Sequence, residues 1–482
     1  MNYRMVAFVL GRIFAIEAVL MLFPLICAML YGEWYLLPAF LLPAALLAVL
    51  GFITSRKTPK NTTIFARDGL AIVALVWVLM SAFGALPFVI SGEIPSFIDA
   101  FFETVSGFTT TGSTILTDVE ALSHGTLFWR SFSHWVGGMG VLVLSLALLP
   151  KMGARSIHLM RAEAPGPAVD KLVPRVGNNA KILYYLYISL TAVMLVCLLL
   201  TGMNLYDALI HTFGAAGTGG FSNYNASVGA FDSPAAEIIT GVFMALFGVN
   251  FSIYYYILRR NWGAVKHNGE LWTYLAIMLV SSVVIAVNIL PMYGHNFFTS
   301  LRYSFFQVSS IMTTTGYATA DFDLWPQLSR TLLTALMLVG ASAGSTGGGL
   351  KVVRMQLLVK SGIREIRHTV HPKSVNTIKM DGRTVSDSVL NGVQSFFFMY
   401  ILVLIVSVLL ISFDGYDLET NLTAVLSALS NIGPGFNLVG PTRNFSIFSD
   451  FSTFVLSMDM LIGRLEIFPM LMLAAPSAWR QY

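Results

Sequence analysis

Charged side chains are scarce in this chain. Only 11% of its 482 residues are Asp, Glu, Lys or Arg, whereas 56% are hydrophobic. Soluble domains carry about 25% charged residues, so a deficit of this size excludes an ordinary soluble protein and indicates a chain solvated mostly by lipid. The apolar segments are long and continuous, which excludes a β-barrel, because barrel strands are alternating segments of about ten residues.

Cysteine is scarcer still. The two cysteines, Cys27 and Cys197, each lie within an apolar run, so they form neither a disulfide framework nor a zinc-binding pattern with histidine. We expect both to pack as small hydrophobic side chains. No nucleophile–base set, metal cluster or nucleotide motif occurs in the sequence. We therefore expect a protein that is not an enzyme, has no organic cofactor and binds no nucleic acid.

Long apolar runs define the predicted architecture, since a spanning helix needs about twenty apolar residues. They predict roughly ten spans, at 5–31, 35–54, 69–91, 126–150, 182–202, 236–258, 271–292, 328–359, 390–413 and 452–476. Four shorter apolar stretches are predicted to be re-entrant or buried helices, at 95–108, 204–216, 297–312 and 417–430. Each lies between two long runs, so the order span, short helix, span occurs four times after the first two spans.

Basic residues occupy alternate loops. Lys and Arg cluster after the second, fourth, sixth and eighth spans, whereas Asp and Glu predominate at the opposite ends. Because basic loops stay in the cytoplasm, both termini are predicted to be cytoplasmic and the short helices to enter from outside. The predicted fold is an all-α polytopic membrane protein, with two N-terminal transmembrane helices (1–68) and four pseudo-symmetric pore repeats (69–160, 161–268, 269–383 and 384–482) around one central pore.

A short glycine-centred motif follows each short helix. The four motifs are Thr-Thr-Thr-Gly-Ser at 109–113, Ala-Gly-Thr-Gly-Gly at 216–220, Thr-Thr-Thr-Gly-Tyr at 313–317 and Ser-Asn-Ile-Gly-Pro at 430–434. Gly112, Gly219, Gly316 and Gly433 align at a spacing of about a hundred residues, which is the signal of an internal repeat. One such cluster would be ordinary turn chemistry, but four in register indicate a shared structure.

These residue types suit the binding of a dehydrated potassium ion. Backbone carbonyls and threonine hydroxyls replace the water around the ion when several segments converge on one axis. Inward-pointing carbonyls favour glycine, which adopts φ above zero without strain, and irregular backbone at membrane depth is tolerated where it lines a water-filled cavity. The C-terminal ends of the short helices would also favour a cation. The motifs therefore predict a selectivity filter.

The motifs, together with Trp-Val-Gly-Gly-Met-Gly at 135–140, resemble those of the Trk/Ktr/HKT superfamily of potassium transporters, most closely its bacterial Trk-type pore subunits. The resemblance covers essentially the whole chain and implies potassium as the transported ion. It implies that the ion is bound by the backbone carbonyls of Thr110, Thr111, Gly217, Thr218, Thr314, Thr315, Asn431 and Ile432, flanked by the four aligned glycines. The fourth motif departs from the others because it contains no threonine.

A glycine-rich segment, residues 340–349, interrupts the eighth span. Each of its five glycines costs a helix about 1 kcal/mol relative to alanine, so we interpret the segment as a loop across the cytoplasmic half of the pore. The resemblance implies an intramembrane gate formed by Gly340, Gly344, Ser345, Thr346, Gly347, Gly348 and Gly349. A kink or close-packing site is the alternative. A phosphate-binding loop is excluded because the Gly-Lys-Ser/Thr ending is missing.

Arg464 lies within the last predicted span, where a charge normally faces a cavity or a partner. The resemblance implies that its side chain projects into the pore beneath the filter and completes the gate by opposing cation leakage. The alternative is a buried ion pair between Arg464 and an acidic neighbour, because Asp459 and Glu466 lie close to it in the sequence.

The leading functional prediction is a gated potassium uptake pore in the bacterial inner membrane, and the alternative is a sodium- or proton-coupled potassium symporter. No cytosolic loop is long enough for a nucleotide-binding domain, so nucleotide control would need a separate subunit. The resemblance implies a cytosolic regulatory ring with Rossmann-like domains and a homodimer of the pore chain. The basic loops 151–181 and 360–383 are the predicted docking surface, unless they are simply a solvated positive face.

Overall fold

The computed structural model describes residues 1–61, 64–140, 176–374 and 376–479. In the described residues the α-helices are α1 (Tyr3–Leu20), α2 (Leu22–Leu30), α3 (Leu37–Ser55), α4 (Ala66–Gly84), α5 (Leu86–Ser91), α6 (Phe97–Phe108), α7 (His124–Gly138), α8 (Val176–Leu200), α9 (Leu205–Gly217), α10 (Pro234–Phe247), α11 (Phe251–Leu258), α12 (Trp262–Lys266), α13 (Gly269–Ile289), α14 (Phe297–Met312), α15 (Gln327–Val339), α16 (Val352–Val370), α17 (Asp387–Ile411), α18 (Leu418–Ser430), α19 (Asp450–Arg464), α20 (Phe468–Ala474) and α21 (Pro476–Trp479). An antiparallel hairpin pairs β1 (Lys379–Met380) with β2 (Arg383–Thr384).

Six helical segments of the described chain are long and apolar enough to cross a membrane. They are Tyr3–Leu30, Trp34–Ser55, Arg67–Ser91, Lys181–Leu200, Gly269–Tyr293 and Asp387–Asp414. The prediction of a polytopic, all-helical membrane protein is therefore confirmed. The predicted span at 126–150 begins with α7, but its second half lies outside the described residues.

The predicted span at 236–258 is not one straight helix, because the chain bends by 91° between α10 and α11. Gly248, at the bend, packs so tightly that a Cβ would lie 2.5 Å from the Tyr274 hydroxyl oxygen and 2.8 Å from the Thr313 methyl carbon. The amide of Ser342 donates a 3.1 Å hydrogen bond to the Gly248 carbonyl. The glycine-rich segment (residues 340–349) therefore bonds to the chain at this bend. The hydropathy pattern does not predict the bend.

The last predicted span, 452–476, is also broken. Helix α19 ends at Arg464, and Glu466 and Ile467 adopt positive φ values of 56° and 67° before α20 begins at Phe468. A β-branched residue such as Ile467 rarely adopts this conformation. The helix is therefore interrupted immediately after Arg464, so this residue lies at a helix end rather than in the middle of a continuous helix.

The four short helices lie where the sequence predicts them, as α6, α9, α14 and α18. Each begins at a side chain that accepts a hydrogen bond from a backbone amide in the first turn: Ser96, Asn204, Asn296 and Asp417. Such caps satisfy amides that have no partner within the helix. Because the caps define the starts independently of hydropathy, these short helices are well specified by the sequence.

Each helix that follows a short helix contacts the short helix of the next repeat, and these contacts form a closed cycle. Helix α7 contacts α9, α10 contacts α14, α15 contacts α18, and α19 contacts α6. These pairs link the segments 69–140, 176–266, 269–370 and 387–474 in order and return to the first. The N-terminal helices α1 and α3 pack against each other outside this cycle through Gly11 and Gly51, whose lack of side chains allows close approach.

Candidate functional site

All four short helices end in the same hydrogen-bonded cap. After α6, the amide of Thr110 donates to the carbonyl of Gly107 at 3.2 Å, and the amide of Thr111 donates to that of Ser106 at 2.9 Å. The equivalent donor pairs are Thr218 and Gly219 after α9, Thr314 and Thr315 after α14, and Asn431 and Ile432 after α18. This is the Schellman motif, in which the residue after the helix takes a left-handed conformation.

The left-handed residue is not glycine in any of the four loops. Its φ is 57° at Thr110, 58° at Thr218, 60° at Thr314 and 56° at Asn431. Asparagine tolerates this conformation, but for a β-branched residue it is an outlier. Strain of this kind costs about 1–3 kcal/mol per residue and persists where the surrounding structure imposes it, often at functional sites. Three strained threonines at one structural position mark these loops as candidates for function.

The second loop is shifted by one residue from the sequence alignment. Thr218 matches Thr110 in both φ and hydrogen bonding, so Gly220, with φ of 75°, occupies the place of Gly112. The alignment of Gly219 with Gly112, Gly316 and Gly433 is therefore wrong. The sequence offers two adjacent glycines here, and only the geometry of the helix cap distinguishes them.

The family resemblance implies Gly217 as an ion ligand, but in the structure Gly217 lies one residue before Thr218, which is the position equivalent to Thr110. Gly217 is the last residue of α9 and corresponds to Thr109, which follows α6. The hydroxyl of Thr218 donates a 2.6 Å hydrogen bond to the Gly217 carbonyl. The pair of carbonyls equivalent to those of Thr110 and Thr111 is therefore that of Thr218 and Gly219.

The four loops meet in a closed ring. Each left-handed glycine lies so close to a carbonyl group of the next loop that a Cβ could not be added without movement of the backbone. The pairs are Gly112 with Gly219, Gly220 with Thr315, Gly316 with Ile432, and Gly433 with Thr111. Because these contacts run from the first loop to the fourth and back to the first, the loops surround a common axis.

Hydroxyl groups brace the first and third loops in the same way. The hydroxyl oxygens of Thr109 and Thr111 lie 2.8 Å apart, and those of Thr313 and Thr315 lie 2.7 Å apart. All four side chains are buried. The first and third loops are therefore matched in side-chain contacts as well as in backbone conformation.

The fourth loop, which has no threonine, is held by an amide side chain instead. The Asn431 Nδ2 group donates to the Thr111 hydroxyl and to the Met460 carbonyl, at 2.9 Å each. The Ser113 hydroxyl donates to the Gly433 carbonyl at 2.8 Å. These bonds attach the fourth loop to the first and complete the ring at the point where its sequence is most different.

Two pockets accompany the ring. One is lined by residues of all four loops, including Gly112, Gly220, Gly316 and Gly433. The other is lined by residues of the glycine-rich loop (residues 340–349), together with Gly138, Gly463 and Arg464. Open space therefore borders both the ring and the glycine-rich loop.

The glycine-rich loop packs directly against the third and fourth loops of the ring. The amide of Gly348 donates a 2.6 Å hydrogen bond to the Thr314 hydroxyl. A Cβ on Gly348 would collide with the Ser430 carbonyl, and one on Gly347 would lie 2.8 Å from the Thr313 carbonyl oxygen. The segment is non-helical from the end of α15 to the start of α16. The predicted interruption is confirmed, and it is more than a kink.

Arg464 joins the glycine-rich loop to the opposite side of the ring. Its guanidinium donates to the carbonyl of Thr346 at 2.8 Å and to those of Gly137 and Gly138, at the end of α7, at 2.6 and 2.9 Å. Glu466, two residues later, forms a 2.7 Å ion pair with Arg354. Arg464 therefore lies beside the predicted gate residues and bonds to one of them.

Two charged residues near this loop were not predicted from the sequence. The Lys351 ammonium is buried and donates to the Gly347 carbonyl. The Glu270 carboxylate, also buried, accepts hydrogen bonds from the amides of Ala343 and Val353. Their position in the sequence could have identified them, because each charged residue borders an apolar or glycine-rich run, where a charge is energetically costly.

The predicted docking loops are only partly described. Residues 151–175 of the first basic loop lie outside the described residues. In the second, Arg364 forms a 3.1 Å ion pair with Asp387, which is 81% exposed, and Arg367 is exposed one turn further along α16. The second basic loop therefore presents a charged surface.

Comparison with known proteins gives consistent matches. A family model described as "TrkH: Cation transport protein" matches residues 39–481. The chain is 36% identical to the Trk system potassium uptake protein TrkH of Salmonella typhimurium, over 100% of both chains. It is 33% identical to TrkG of Escherichia coli, over 99% of both. The crystal structure of the potassium transporter TrkH from Vibrio parahaemolyticus superimposes with a TM-score of 0.88 at 34% identity, over 100% of both chains. These proteins are named as transporters, which confirms the prediction of a non-enzyme.

Proposed function

Because the chain belongs to the TrkH family of cation transport proteins, we propose that it takes up potassium through a gated pore with a selectivity filter. Its relatives are named as potassium uptake or transport proteins. The observation that carries the proposal is the closed ring, in which each left-handed glycine contacts the next loop. Such a ring presents neutral oxygens from four segments around one axis, which is the arrangement that replaces the water of a potassium ion.

We assign the ion ligands to two layers of backbone carbonyls. One layer comprises Thr110, Thr218, Thr314 and Asn431, and the other comprises Thr111, Gly219, Thr315 and Ile432, with Gly112, Gly220, Gly316 and Gly433 following them. Supporting this assignment, the residues of each layer share the same helix cap and the first layer shares one φ value near 57°. The C-terminal ends of α6, α9, α14 and α18 lead into the ring, so their dipoles favour a cation.

The glycine-rich loop is proposed as the gate. Its contacts with Thr314 and Ser430 put it against the ring, and Arg464 bonds it to α7 on the other side. A guanidinium beside the pathway opposes the passage of cations through electrostatic repulsion. Uptake would then require both the loop and Arg464 to move.

The cellular setting is proposed on charge and on family membership. The basic residues that follow the second, sixth and eighth spans favour the cytoplasmic side, so we place both termini in the cytoplasm of a bacterium and the chain in its inner membrane. We also propose a homodimer controlled by a separate cytosolic ring of Rossmann-like, nucleotide-binding subunits. The exposed basic face of α16 supports docking of such a partner.

Ion flux into liposomes tests the proposal. Purified protein is reconstituted into vesicles loaded with potassium, in choline buffer without sodium and at equal pH on both sides, and uptake of radioactive rubidium is followed. We expect uptake driven by the potassium gradient alone and blocked more strongly by external potassium than by sodium. Flux that appears only with a sodium or proton gradient would contradict the pore and support the symporter.

A shortened glycine-rich loop tests the gate. Removal of Ser345 and Thr346 takes away the Arg464 contact while the glycines that pack on the ring remain. We expect faster basal flux from a protein that still elutes as a single folded species. Unchanged basal flux from folded protein would contradict the assignment of this loop as the gate.

A further inference from the structure

Glu270 holds both ends of the glycine-rich loop at once. It is the second residue of α13, and its side chain is buried although it carries a carboxylate. The oxygen Oε1 accepts a 2.7 Å hydrogen bond from the amide of Ala343, which lies in the first half of the glycine-rich loop. It also accepts a 3.3 Å hydrogen bond from the amide of Val353, which lies in the first turn of α16. One side chain therefore joins the two limbs of the loop to a neighbouring helix.

Both donors are backbone groups that would otherwise have no partner. Ala343 lies in a non-helical segment, and Val353 lies in the first turn of α16, where amides have no acceptor within the helix. An acidic group at a helix N-terminus is also favoured by the helix dipole. Glu270 thus acts as a cap for α16 that is supplied by another helix, and the same oxygen fixes the start of the loop.

The first turn of α13 is in turn bonded to the hairpin formed by β1 and β2. The Asp381 carboxylate, in the turn between β1 and β2, accepts a 2.8 Å hydrogen bond from the amide of Gly269. The side chain of Gln356 on α16 donates to the Gly269 carbonyl at 3.0 Å. Asp381, Gly269 and Glu270 therefore form a continuous connection from the hairpin to the glycine-rich loop.

We propose that Glu270 is a positioning residue that latches the gate in its closed position, and that Asp381 in the hairpin supports this latch through the first turn of α13. The proposal rests on the function proposed for the loop. Displacement of the hairpin would withdraw Asp381 from α13, shift Glu270 and free the amides of Ala343 and Val353 together. The loop could then leave the ring.

The latch is tested with substitutions at Glu270 in the reconstituted full chain without any partner. Glu270→Ala removes both hydrogen bonds, whereas Glu270→Gln keeps an acceptor oxygen and loses the charge. Loss of a charge-assisted bond of this kind corresponds to about a tenfold shift in the open-to-closed ratio. We expect basal rubidium flux to rise about tenfold in Glu270→Ala and by less in Glu270→Gln. Glu365→Ala, an exposed glutamate on α16, is the matched control and should leave basal flux unchanged.

A second readout follows the loop itself. In a chain whose two cysteines, Cys27 and Cys197, are replaced by serine, Ser345→Cys reports access of a water-soluble thiol reagent. We expect Glu270→Ala and Asp381→Ala to increase the labelling rate, because each removes a hydrogen-bond acceptor of the same connection. Should Glu270→Ala aggregate, Glu270→Gln and Asp381→Ala carry the test alone.

The outcomes separate the latch from the pore. If wild-type protein carries no rubidium flux under any condition, the proposed function fails. If the wild type conducts but folded Glu270 and Asp381 variants match it in basal flux and in labelling of Ser345→Cys, the latch is overturned. A folded Glu270→Ala protein that conducts less than the wild type also overturns it.

Discussion

The side-chain amide of Asn431 donates a 2.9 Å hydrogen bond to the hydroxyl of Thr111, joining the fourth loop of the ring to the first. The same amide donates to the Met460 carbonyl on α19. The Asn431 side chain thus fixes the loop without threonine against its neighbours. Its φ of 56° matches the left-handed conformation of the equivalent residue in each of the other three loops.

Substitution of Asn431 should weaken selectivity. Asn431→Gly keeps the left-handed backbone accessible but removes both amide bonds, so we expect a loss of about 1–3 kcal/mol in unfolding free energy and a clear fall in the preference of flux for potassium over sodium. Asn431→Ala adds backbone strain and should be worse. Potassium and sodium competition against rubidium uptake provides the measurement, and a Gly variant with unchanged preference would contradict the role of this amide.

Gly220 and Gly202 form a matched pair that separates backbone strain from ring contact. Both have positive φ, 75° and 93°, but a Cβ on Gly220 would collide with the Thr315 carbonyl, whereas nothing lies within 4 Å of one on Gly202. We expect Gly202→Ala to cost only about 1–2 kcal/mol of left-handed strain and to retain transport. Gly220→Ala should abolish rubidium flux even where membrane insertion is normal. Equal activity of the two variants would show that the ring contacts do not matter.

Arg464 should restrain leakage through its position as well as its charge. Arg464→Ala removes three carbonyl contacts and the positive charge, so we expect basal rubidium flux to increase by about tenfold or more. Arg464→Lys keeps the charge but cannot span the same carbonyls, because lysine lacks the planar fork of donors. We therefore expect it to give an intermediate leak in the same liposome assay. A lysine variant as tight as the wild type would assign the whole effect to charge.

Charge reversal on α16 tests the proposed docking surface. The double variant Arg364→Glu, Arg367→Glu should weaken binding of the cytosolic regulatory ring by roughly tenfold, because like charges across an interface repel. The double variant Arg259→Glu, Arg260→Glu changes exposed charges on another loop and serves as the control. Co-purification of the two subunits at fixed salt gives the readout. Equal binding by both variants would indicate a merely solvated positive face.

Acid sensitivity should depend on Asp417 at the start of α18. The Thr420 hydroxyl donates a 2.6 Å hydrogen bond to this carboxylate and holds the pKa of Asp417 below its ordinary value. A lowered folded-state pKa gives stability that is complete above the unfolded-state pKa of about 4 and is lost as the pH falls through the folded-state pKa. We expect the thermal midpoint in detergent to fall less on acidification to about pH 2 in Asp417→Asn than in the wild type. Parallel pH profiles would contradict this.

The short helices could be predicted from the sequence because several local signals agree. Ser96, Asn204, Asn296 and Asp417 cap them, their apolar stretches are too short to cross a membrane, and glycine follows each. Composition alone identified the lipid-solvated class. These properties depend on residues that are neighbours in the chain, so no knowledge of tertiary contacts was needed.

The features that escaped prediction depend on contacts between distant segments. Gly219 and Gly220 are indistinguishable in the sequence, and the cap hydrogen bonds select Gly220 as the ring glycine. The bend at Gly248 follows from its packing against Tyr274. In the sequence, Glu270 is only a charged residue at the edge of a predicted span. Its contacts with the amides of Ala343 and Val353 exist only in the folded chain.

The most direct test of the account is the location of a bound ion. Crystals of the protein grown in rubidium would give an anomalous difference map in which rubidium substitutes for potassium. We predict a peak on the axis of the ring, surrounded by the carbonyl oxygens of Thr111, Gly219, Thr315 and Ile432. A protein that conducts rubidium in liposomes but binds it away from this axis would contradict the account.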